Sequence, residues 1–390
     1  MATLLKKLTV DNYRSIQKLE LELGDRCVFF GPNGSGKSSL LDTLWFVRDC
    51  FIRGVDQASS RRGHGIGMRW DGADPDDQIR VGIETTHGDY GMSFGFAKGR
   101  IDAYVGEILH DSGKLILKRS IGSAKVSLTT QPGKFKSISL PEPEKPALTM
   151  ARTSGVASSA LAEVDNILRR ISYYHARSMD LHALKWRGSE SSPTTLLSDR
   201  CGNLWSVIRN LNDKRDLDHR YQQIVAFMKR AFPEFNGFFI EQTGPSSLYA
   251  YFQERHRSEP IMASGVSDGY LTMLILLTAL FSMGTDVNEL VIFDEPDISL
   301  HPHALSVFAD AVKLATREWG KQVLIATHSP VLISQFQAAD IYAMSLGGQG
   351  EALVTPLTQI DGIGDLLEDY SVGSLYMAEV IAPQSKDSEV

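Results

Sequence analysis

The stretch CVFFGPNGSGKSSLLDTLW, residues 27–45, places a glycine-rich loop between two apolar segments. The segment before the loop is typical of a buried strand, and Leu40, Leu41 and Leu44 after it fall on one face of a helix. The loop itself, GPNGSGKS at 31–38, satisfies the pattern G-x-x-x-x-G-K-[ST] between a strand and a helix, the context that the pattern requires. Glycines let backbone N–H groups face inward, and a helix N-terminus attracts anions. The stretch therefore predicts a phosphate-binding loop.

The chemistry of this loop predicts two cofactors, ATP and Mg²⁺. Lys37 is placed to neutralise charge on the β- and γ-phosphates, and the Ser38 hydroxyl is placed to ligate the metal. The other residues predicted to bind the nucleotide are Gly31, Pro32, Asn33, Gly34, Ser35, Gly36 and Ser39.

A metal-binding carboxylate is expected on a second strand, and ELVIFDEP (289–296) provides the candidates. Asp294 follows four apolar residues, at the strand end where α/β sheets bind ligands, and is predicted to hold Mg²⁺. Glu295 is predicted to orient or deprotonate the attacking water. An acidic pair after a strand is otherwise often only a turn, but the phosphate loop in the same chain favours a catalytic pair.

Two further segments carry polar residues where phosphate could bind. His328 follows the buried strand in VLIATHSP (323–330) and is predicted to sense the γ-phosphate. Ser267 and Gly269 begin an apolar helix in SGVSDGYLTMLILL (264–277), which indicates a second anion site. A helix cap alone would also explain Ser267.

Composition narrows the class of protein. The chain has 390 residues, of which 43% are hydrophobic. Its net charge of −7 argues against a protein that binds nucleic acid over its whole surface. The longest apolar run, 271–281, is too short to span a membrane, and the start of the chain lacks the features of a signal peptide. The three cysteines have no metal-like spacing, so we expect reduced thiols in a cytoplasmic protein. The basic segment 53–70 favours a solvated surface loop, with DNA contact as the alternative.

The pattern along the chain predicts an α/β fold whose domains are not continuous in sequence. Strand-like alternation fills the first thirty residues, and an antiparallel meander is predicted over 79–130. A Pro/Lys/Glu-rich stretch, 139–149, is predicted to be a linker. We expect one ATPase head built from 1–150 and 261–375, a helical arm with a β-hairpin at 151–260, and a disordered tail at 376–390.

The order of these motifs carries a family resemblance. The phosphate loop, VSDGY, ELVIFDEP, ISLHP and VLIATHSP follow one another as in the ABC-type ATPase heads of the SMC, RecF and OLD class. More narrowly, the chain resembles short prokaryotic AAA-family ATP-binding proteins of RecF type. The opening LTVDNYRSIQKLELEL (8–23) and the segment LLSDRCGNLWSVIRNL (196–211) add to that resemblance.

The resemblance implies a role for each motif. It makes 31–38 the Walker A loop and 267–269 the signature motif, and it implies a phosphate contact for Arg14. It also makes Asp294 and Glu295 the Walker B pair, places Asp297 in the D-loop and makes His328 the switch histidine. Heads of this class dimerise head to tail, with ATP between the phosphate loop of one chain and the signature serine of the other. A homodimer or higher homo-oligomer is therefore expected.

The resemblance further implies an ATP-gated switch in anti-phage defence or DNA maintenance, with a nuclease or toxin effector encoded nearby. Two alternatives stay open: an ATP-binding scaffold with negligible turnover, and a RecF-like repair clamp that binds DNA directly. Lys37 and Ser267 are 230 positions apart (267 minus 37), more than in a transporter subunit, which argues against a transporter. No long heptad pattern is present, which argues against a true SMC protein with its long coiled coil. The 62 residues after His328 (390 minus 328) are too few for the TOPRIM nuclease of the OLD proteins.

One expected residue has no obvious place. The resemblance implies a Q-loop glutamine in the region ISYYHARSMDL (171–181), where Arg177 or Ser178 stands instead. Gln57 is a weaker candidate.

Overall fold

The computed structural model describes residues 5–63, 65–131, 134–284 and 288–383. Its strands are β1 (Lys7–Tyr13), β2 (Ile16–Glu22), β3 (Arg26–Phe30), β4 (Ile79–Glu84), β5 (Gly88–Phe94), β6 (Phe96–Ala97), β7 (Arg100–Ile101), β8 (Gly106–Asp111), β9 (Lys114–Arg119), β10 (Lys125–Gln131), β11 (Lys134–Ser139), β12 (Ile171–His175), β13 (Ser189–Glu190), β14 (Phe235–Gln242), β15 (Ser247–Glu254), β16 (Ile261–Met262), β17 (Glu289–Asp294), β18 (Lys321–Thr327), β19 (Ile341–Leu346) and β20 (Ala352–Pro356). Its helices are α1 (Lys37–Arg53), α2 (Val55–Ser60), α3 (Leu148–Ala151), α4 (Ser159–Arg169), α5 (Leu181–Trp186), α6 (Leu204–Asp213), α7 (Arg220–Ala231), α8 (Asp268–Phe281), α9 (Pro302–Glu318), α10 (Pro330–Ile333), α11 (Ile363–Asp369) and α12 (Val372–Met377).

The described residues form two compact units. The first comprises 5–171, 342–361 and 381–383, and the second comprises 172–341 and 362–380. These units do not follow the division proposed from sequence at 150 and 260, which stays a prediction.

The first unit contains an eight-stranded sheet in the order β11-β10-β9-β8-β5-β4-β1-β2. Its neighbouring strands are antiparallel, and Ile79, Val81 and Ile83 of β4 are buried while Arg80 between them is exposed. This alternation confirms the predicted meander, which β1 and β2 extend at one edge. In a separate sheet, β3, β19 and β20 are neighbours in that order.

The stretch predicted to be a linker, 139–149, is instead tied to the large sheet. Glu107 of β8 is buried and accepts hydrogen bonds from the backbone N–H groups of Ala147 and Leu148, at 2.6 and 3.2 Å. Arg119 of β9 donates to the carbonyl oxygens of Pro143 and Lys145. Burial raises the pKa of the Glu107 carboxyl above its ordinary value. A buried polar pair therefore fixes a segment that proline and charge suggested to be loose.

The basic segment 53–70 is also ordered by charge, and it is neither wholly irregular nor simply solvated. It contains α2, and the Arg62 side chain is only 5% exposed. Arg62 lies 2.8 Å from Asp42 Oδ1 and 3.1 Å from Asp49 Oδ2, two carboxylates of α1. Arg62 is thus part of an internal ion-pair network.

The second unit places β12, β17 and β18 side by side in that order, with β17 and β18 parallel. Every residue of β17 and of β18 is buried, which explains the apolar runs at 290–293 and 323–326 within them. In α8, every residue from Tyr270 to Phe281 is buried, so this helix is apolar on all sides. The predicted hairpin near 238–252 is confirmed as β14 and β15.

Some elements escaped prediction. The weakly patterned C-terminal region contains β19, β20, α11 and α12. The tail predicted to be disordered, 376–390, is folded in its first part, because α12 runs to Met377 and Ile381 is only 1% exposed. Residues 384–390 of this tail lie outside the described residues. Within the described chain, no helix combines the length and apolar character needed to cross a membrane.

Replacing Arg62 by methionine should lower the free energy of unfolding by about 3–5 kcal/mol, because the Asp42 and Asp49 carboxylates lose their buried cation. Arg61→Met is the matched control, since Arg61 lies 3.6 Å from the same Asp49 but is 48% exposed. We expect a change within about 0.5 kcal/mol for the control. Denaturant unfolding of both variants checks this, and equal losses would contradict an internal role for Arg62.

Candidate functional site

The phosphate loop of the first unit has the predicted strand–loop–helix geometry. β3 ends at Phe30, α1 begins at Lys37, and residues 31–36 connect them. Gly34 and Gly36 have φ values of 81° and 94°, a left-handed conformation that favours glycine. Gly36 precedes the 17-residue helix α1, and no described side chain caps this end of the helix. The start of α1 therefore keeps the backbone donors and the helix dipole that an anion needs.

The loop also packs tightly against the strands that follow much later in the chain. A Cβ atom at Gly31 would lie 2.1 Å from the Met344 carbonyl oxygen of β19. A Cβ atom at Gly36 would lie 2.6 Å from Ala352 Cβ and 2.8 Å from Ser15 Oγ. Both glycines are therefore required by close backbone approach.

Lys37 lies at the centre of this loop and is 5% exposed. Its Nζ atom donates to the carbonyl oxygens of Gly31 and Pro32, at 2.9 and 2.8 Å. The loop backbone thus curls around an ammonium group, and such a positive charge is needed to offset the negative charge of a nucleoside triphosphate. Ser38 is exposed at the first turn of α1.

Arg14 lies beside the same helix. Its side chain is 32% exposed, and its Nη2 atom is 3.1 Å from Asp42 Oδ2. The phosphate contact inferred for Arg14 stays a prediction, and it would compete with this ion pair.

The second unit places the two predicted carboxylates at the end of β17. Asp294 is 1% exposed and accepts a hydrogen bond from the Tyr173 hydroxyl at 2.7 Å. His175 Nε2 lies 3.9 Å from Asp294 Oδ2. A buried carboxylate at a strand end, supported by a hydroxyl donor, is suited to hold a divalent cation.

Glu295 turns away from the strand. Its φ of 55° is left-handed, and its N–H group donates to the Ala326 carbonyl of β18 at 2.8 Å. His328 Nε2 lies 3.8 Å from Glu295 Oε1, and Arg177 Nε lies 3.2 Å from Oε2. Glu295 Oε2 is buried and accepts no hydrogen bond of good geometry from the described residues. The Glu295 carboxylate is therefore flanked by a guanidinium group and an imidazole group.

Polar contacts also join the turns that follow β17 and β18. The Thr327 hydroxyl donates to Asp297 Oδ1 at 2.6 Å, and the Ser329 N–H group donates to Thr327 Oγ1 at 3.0 Å. The structure thus brings together the predicted Walker B, D-loop and switch-histidine segments.

The predicted signature motif begins α8. Ser267 is the N-cap, and its Oγ atom accepts from the Tyr270 N–H group at 3.4 Å. A Cβ atom at Gly269 would lie 2.7 Å from the Ser299 carbonyl oxygen, in the turn that follows β17. Lys185 pairs with Asp268. These contacts give Ser267 and Gly269 structural roles, so their binding of phosphate stays a prediction.

The donor set fits ATP and Mg²⁺. The described residues contain no group of three or more His, Cys, Asp or Glu side chains arranged to hold a metal ion. Mg²⁺ typically takes one or two carboxylates and completes its shell with phosphate oxygens and water. Ser38 and Asp294 stay the predicted ligands of the metal.

Sequence reasoning missed the groups that β12 directs at the carboxylates. Tyr173 and His175 stand at alternate positions of β12 and therefore face the same side, and Arg177 lies in the short 3-10 turn that follows the strand. That alternation was the available signal. Their target, 121 positions away from Tyr173, was not evident from sequence.

Comparison with known proteins agrees with this geometry. The profile of the family described as "AAA domain, putative AbiEii toxin, Type IV TA system" matches residues 27–334. A second profile, described as a protein of unknown function, matches residues 3–50. The DNA replication and repair protein RecF of two Bacteroides fragilis strains is 38% identical over 48 residues. That match covers 12% of this chain and 13% of the length of those relatives.

Solved structures show the same fold. The SmcHead bound to the C-winged helix domain of ScpA has a TM-score of 0.56 at 14% identity, over 90% of this chain and 96% of that one. An Smc head domain with an extended coiled coil, bound to the C-terminal domain of ScpA derived from Pyrococcus furiosus, has a TM-score of 0.54 at 13% identity. That alignment covers 94% of this chain and 100% of the other.

The fold is that of solved SMC head domains, and the order of the motifs resembles that of SMC/RecF-like ABC-type ATPases. The chain belongs to the AAA-domain family whose profile spans residues 27–334. The predicted resemblance and the predicted α/β head with its antiparallel meander are thereby confirmed.

Gly31→Ala should reduce ATP affinity by about tenfold or more, equivalent to about 1.4 kcal/mol, because the new methyl group forces the loop away from Met344. Gly34→Ala is the control, since nothing lies within 4 Å of its Cβ position and only the left-handed backbone opposes the change. Calorimetric titration with ATP checks both variants. A larger loss for Gly34→Ala would show that backbone conformation, rather than packing against β19, shapes the loop.

Proposed function

We propose that this chain binds ATP with Mg²⁺, hydrolyses it, and acts as an ATP-gated dimer switch. The observation that carries the proposal is the Asp294–Glu295 pair at the end of β17, flanked by His328, in a chain with a complete phosphate loop. This combination provides phosphate binding, metal binding and a general base, the three requirements of a P-loop hydrolase.

In the proposed reaction each residue has one task. Lys37 neutralises the β- and γ-phosphates, and Ser38 and Asp294 hold the metal ion. Mg²⁺, when bound, would offset the phosphate charge. Glu295 accepts the proton of the attacking water, and His328 donates a hydrogen bond to a γ-phosphate oxygen. Arg14 is the remaining candidate for a phosphate contact.

The dimer is part of the same proposal. In the families that this chain resembles, the signature serine of one head meets the ATP held by the other. Ser267 at the start of the 14-residue helix α8 supports this arrangement, since a helix N-terminus favours anions. ATP would close a head-to-tail homodimer or higher homo-oligomer, and hydrolysis would open it.

The names of the matched family and of RecF support a proposal for the biological role. The matched profile names a toxin system, and RecF is named for DNA replication and repair. We propose a role in anti-phage defence or DNA maintenance, exerted through a separately encoded nuclease or toxin effector. The SmcHead relatives were solved bound to domains of ScpA, which supports a protein partner for this head. Turnover that requires DNA would favour a RecF-like clamp, and negligible turnover would favour an ATP-binding scaffold.

Lys37→Ala and Glu295→Gln should separate binding from hydrolysis. The first removes the loop ammonium and should weaken ATP binding by about 1.5–3 kcal/mol, as expected for a charge-assisted contact. The second keeps the side-chain shape but removes the base, so ATP should bind and persist in a closed dimer. Calorimetry and phosphate release measure the two effects. Wild-type turnover by Glu295→Gln would exclude Glu295 as the base and make Asp297 the next candidate.

Completion of the site in trans should appear in mixed dimers. Ser267→Arg should leave ATP binding by the single chain nearly intact while blocking dimerisation and hydrolysis. Mixed with Lys37→Ala, it gives dimers with one doubly defective site and one intact site, so turnover should exceed that of either variant alone. Ser267→Ala controls for loss of the α8 cap, about 1 kcal/mol. Hydrolysis by a strictly monomeric chain would rule out completion in trans.

A further inference from the structure

The two adjacent carboxylates of the second unit each have a partner on the same short segment. β12 lies beside β17, and Tyr173 of β12 contacts Asp294. Arg177, in the short 3-10 turn that follows β12, contacts Glu295. This segment occupies the place where a Q-loop glutamine was expected and not found. The following argument rests on the proposed function of Asp294 and Glu295.

Asp294 needs support because it is nearly inaccessible. With 1% of its surface exposed, water cannot orient its carboxylate, and the Tyr173 hydroxyl at 2.7 Å fixes one oxygen from the side of β12. A hydrogen bond to a metal-binding carboxylate holds it in the geometry that the metal requires. The other face of β12 shows the contrast: Tyr174 packs on Phe293 and donates to the Leu197 carbonyl.

Glu295 needs support for a different reason. Its Oε2 atom accepts no hydrogen bond of good geometry from the described residues, so charge provides its orientation. Arg177 Nε lies 3.2 Å from Oε2, and His328 Nε2 lies 3.8 Å from Oε1. The tight turn that presents Arg177 is itself fixed, since the Arg177 N–H group donates to His175 Nδ1 at 3.1 Å.

We propose that Tyr173 and Arg177 together perform the task of the missing glutamine, as positioning residues that hold Asp294 for the metal and Glu295 for the attacking water. Neither has to touch the nucleotide. Arg177 is 73% exposed, so its ion pair adds little to folding stability and acts on the orientation of Glu295. The two carboxylates are adjacent in sequence, yet each is held by its own partner.

The proposal predicts different defects for the two residues. Tyr173→Phe should raise about tenfold the Mg²⁺ concentration at which the Mg²⁺-dependent gain in ATP affinity is half complete. The affinity for ATP without Mg²⁺ should stay unchanged. Calorimetry at stepped Mg²⁺ concentrations, with both chains in a Glu295→Gln background that binds ATP without hydrolysing it, measures this without turnover. Tyr174→Phe is the matched control and should leave the Mg²⁺ requirement as in the wild type.

Arg177→Ala should lower kcat about tenfold at saturating Mg²⁺, with KM and the melting temperature nearly unchanged. Arg177→Lys should recover part of the loss, because it restores the charge. Arg230→Ala, which removes an arginine that is paired with Asp310 and 52% exposed, is the control and should turn over normally. In a Glu295→Gln background, Arg177→Ala should have no further effect, because the base on which it acts is gone.

An unchanged Mg²⁺ requirement in Tyr173→Phe, or a kcat for Arg177→Ala equal to or above the wild type, would overturn the proposal. Both results leave the proposed hydrolysis intact, since wild-type turnover and its loss in Glu295→Gln are measured in parallel. Failure of the proposed function is recognised separately, as absent turnover by the wild type or full turnover by Glu295→Gln.

Discussion

The close packing of the phosphate loop against β19 and β20 is the constraint on which the first unit depends. The loop backbone approaches the Met344 carbonyl and the Ala352 side chain so closely that only glycine fits at positions 31 and 36. Residues more than 300 positions apart thereby fix the shape of a six-residue loop. A loop held from outside keeps its N–H groups and the Lys37 ammonium in place before any ligand arrives, so binding requires little reorganisation.

The same principle recurs where the chain handles charge. Arg62 is surrounded by Asp42 and Asp49, and Glu107 is matched by backbone donors and Arg119. Each buried charge has a partner, because an unpaired one would be strongly destabilising. Glu295 differs: it stands in a left-handed backbone conformation, its Oε2 atom lacks a good hydrogen bond, and its neighbours are Arg177 and His328. A strained backbone and a buried oxygen without a good hydrogen bond coincide at the residue proposed to act as base, as is common at functional sites.

Structural and functional demands overlap in the predicted signature motif. Ser267 caps α8, and Gly269 allows the start of that helix to approach the turn after β17. Lys185 of α5 pairs with Asp268. Lys185 belongs to the same segment as Tyr173 and Arg177. One stretch, 172–186, therefore contacts both the predicted Walker B pair and the predicted signature motif of the second unit. This gives the unit a physical connection between its proposed metal site and its proposed dimer contact.

The sequence by itself determined the features whose cause is local. The phosphate loop, the apolar strands β17 and β18 and the apolar helix α8 are set by contiguous residues, and so are the positions of Lys37, Asp294, Glu295 and His328. Only the tertiary structure decided which groups meet across long separations, such as Tyr173 with Asp294 and Gly31 with Met344. It also showed that the segments 53–70 and 139–149, irregular by composition, are held by buried ion pairs and hydrogen bonds. Local patterns cannot encode such partners, because burial and charge pairing arise only when distant segments pack together.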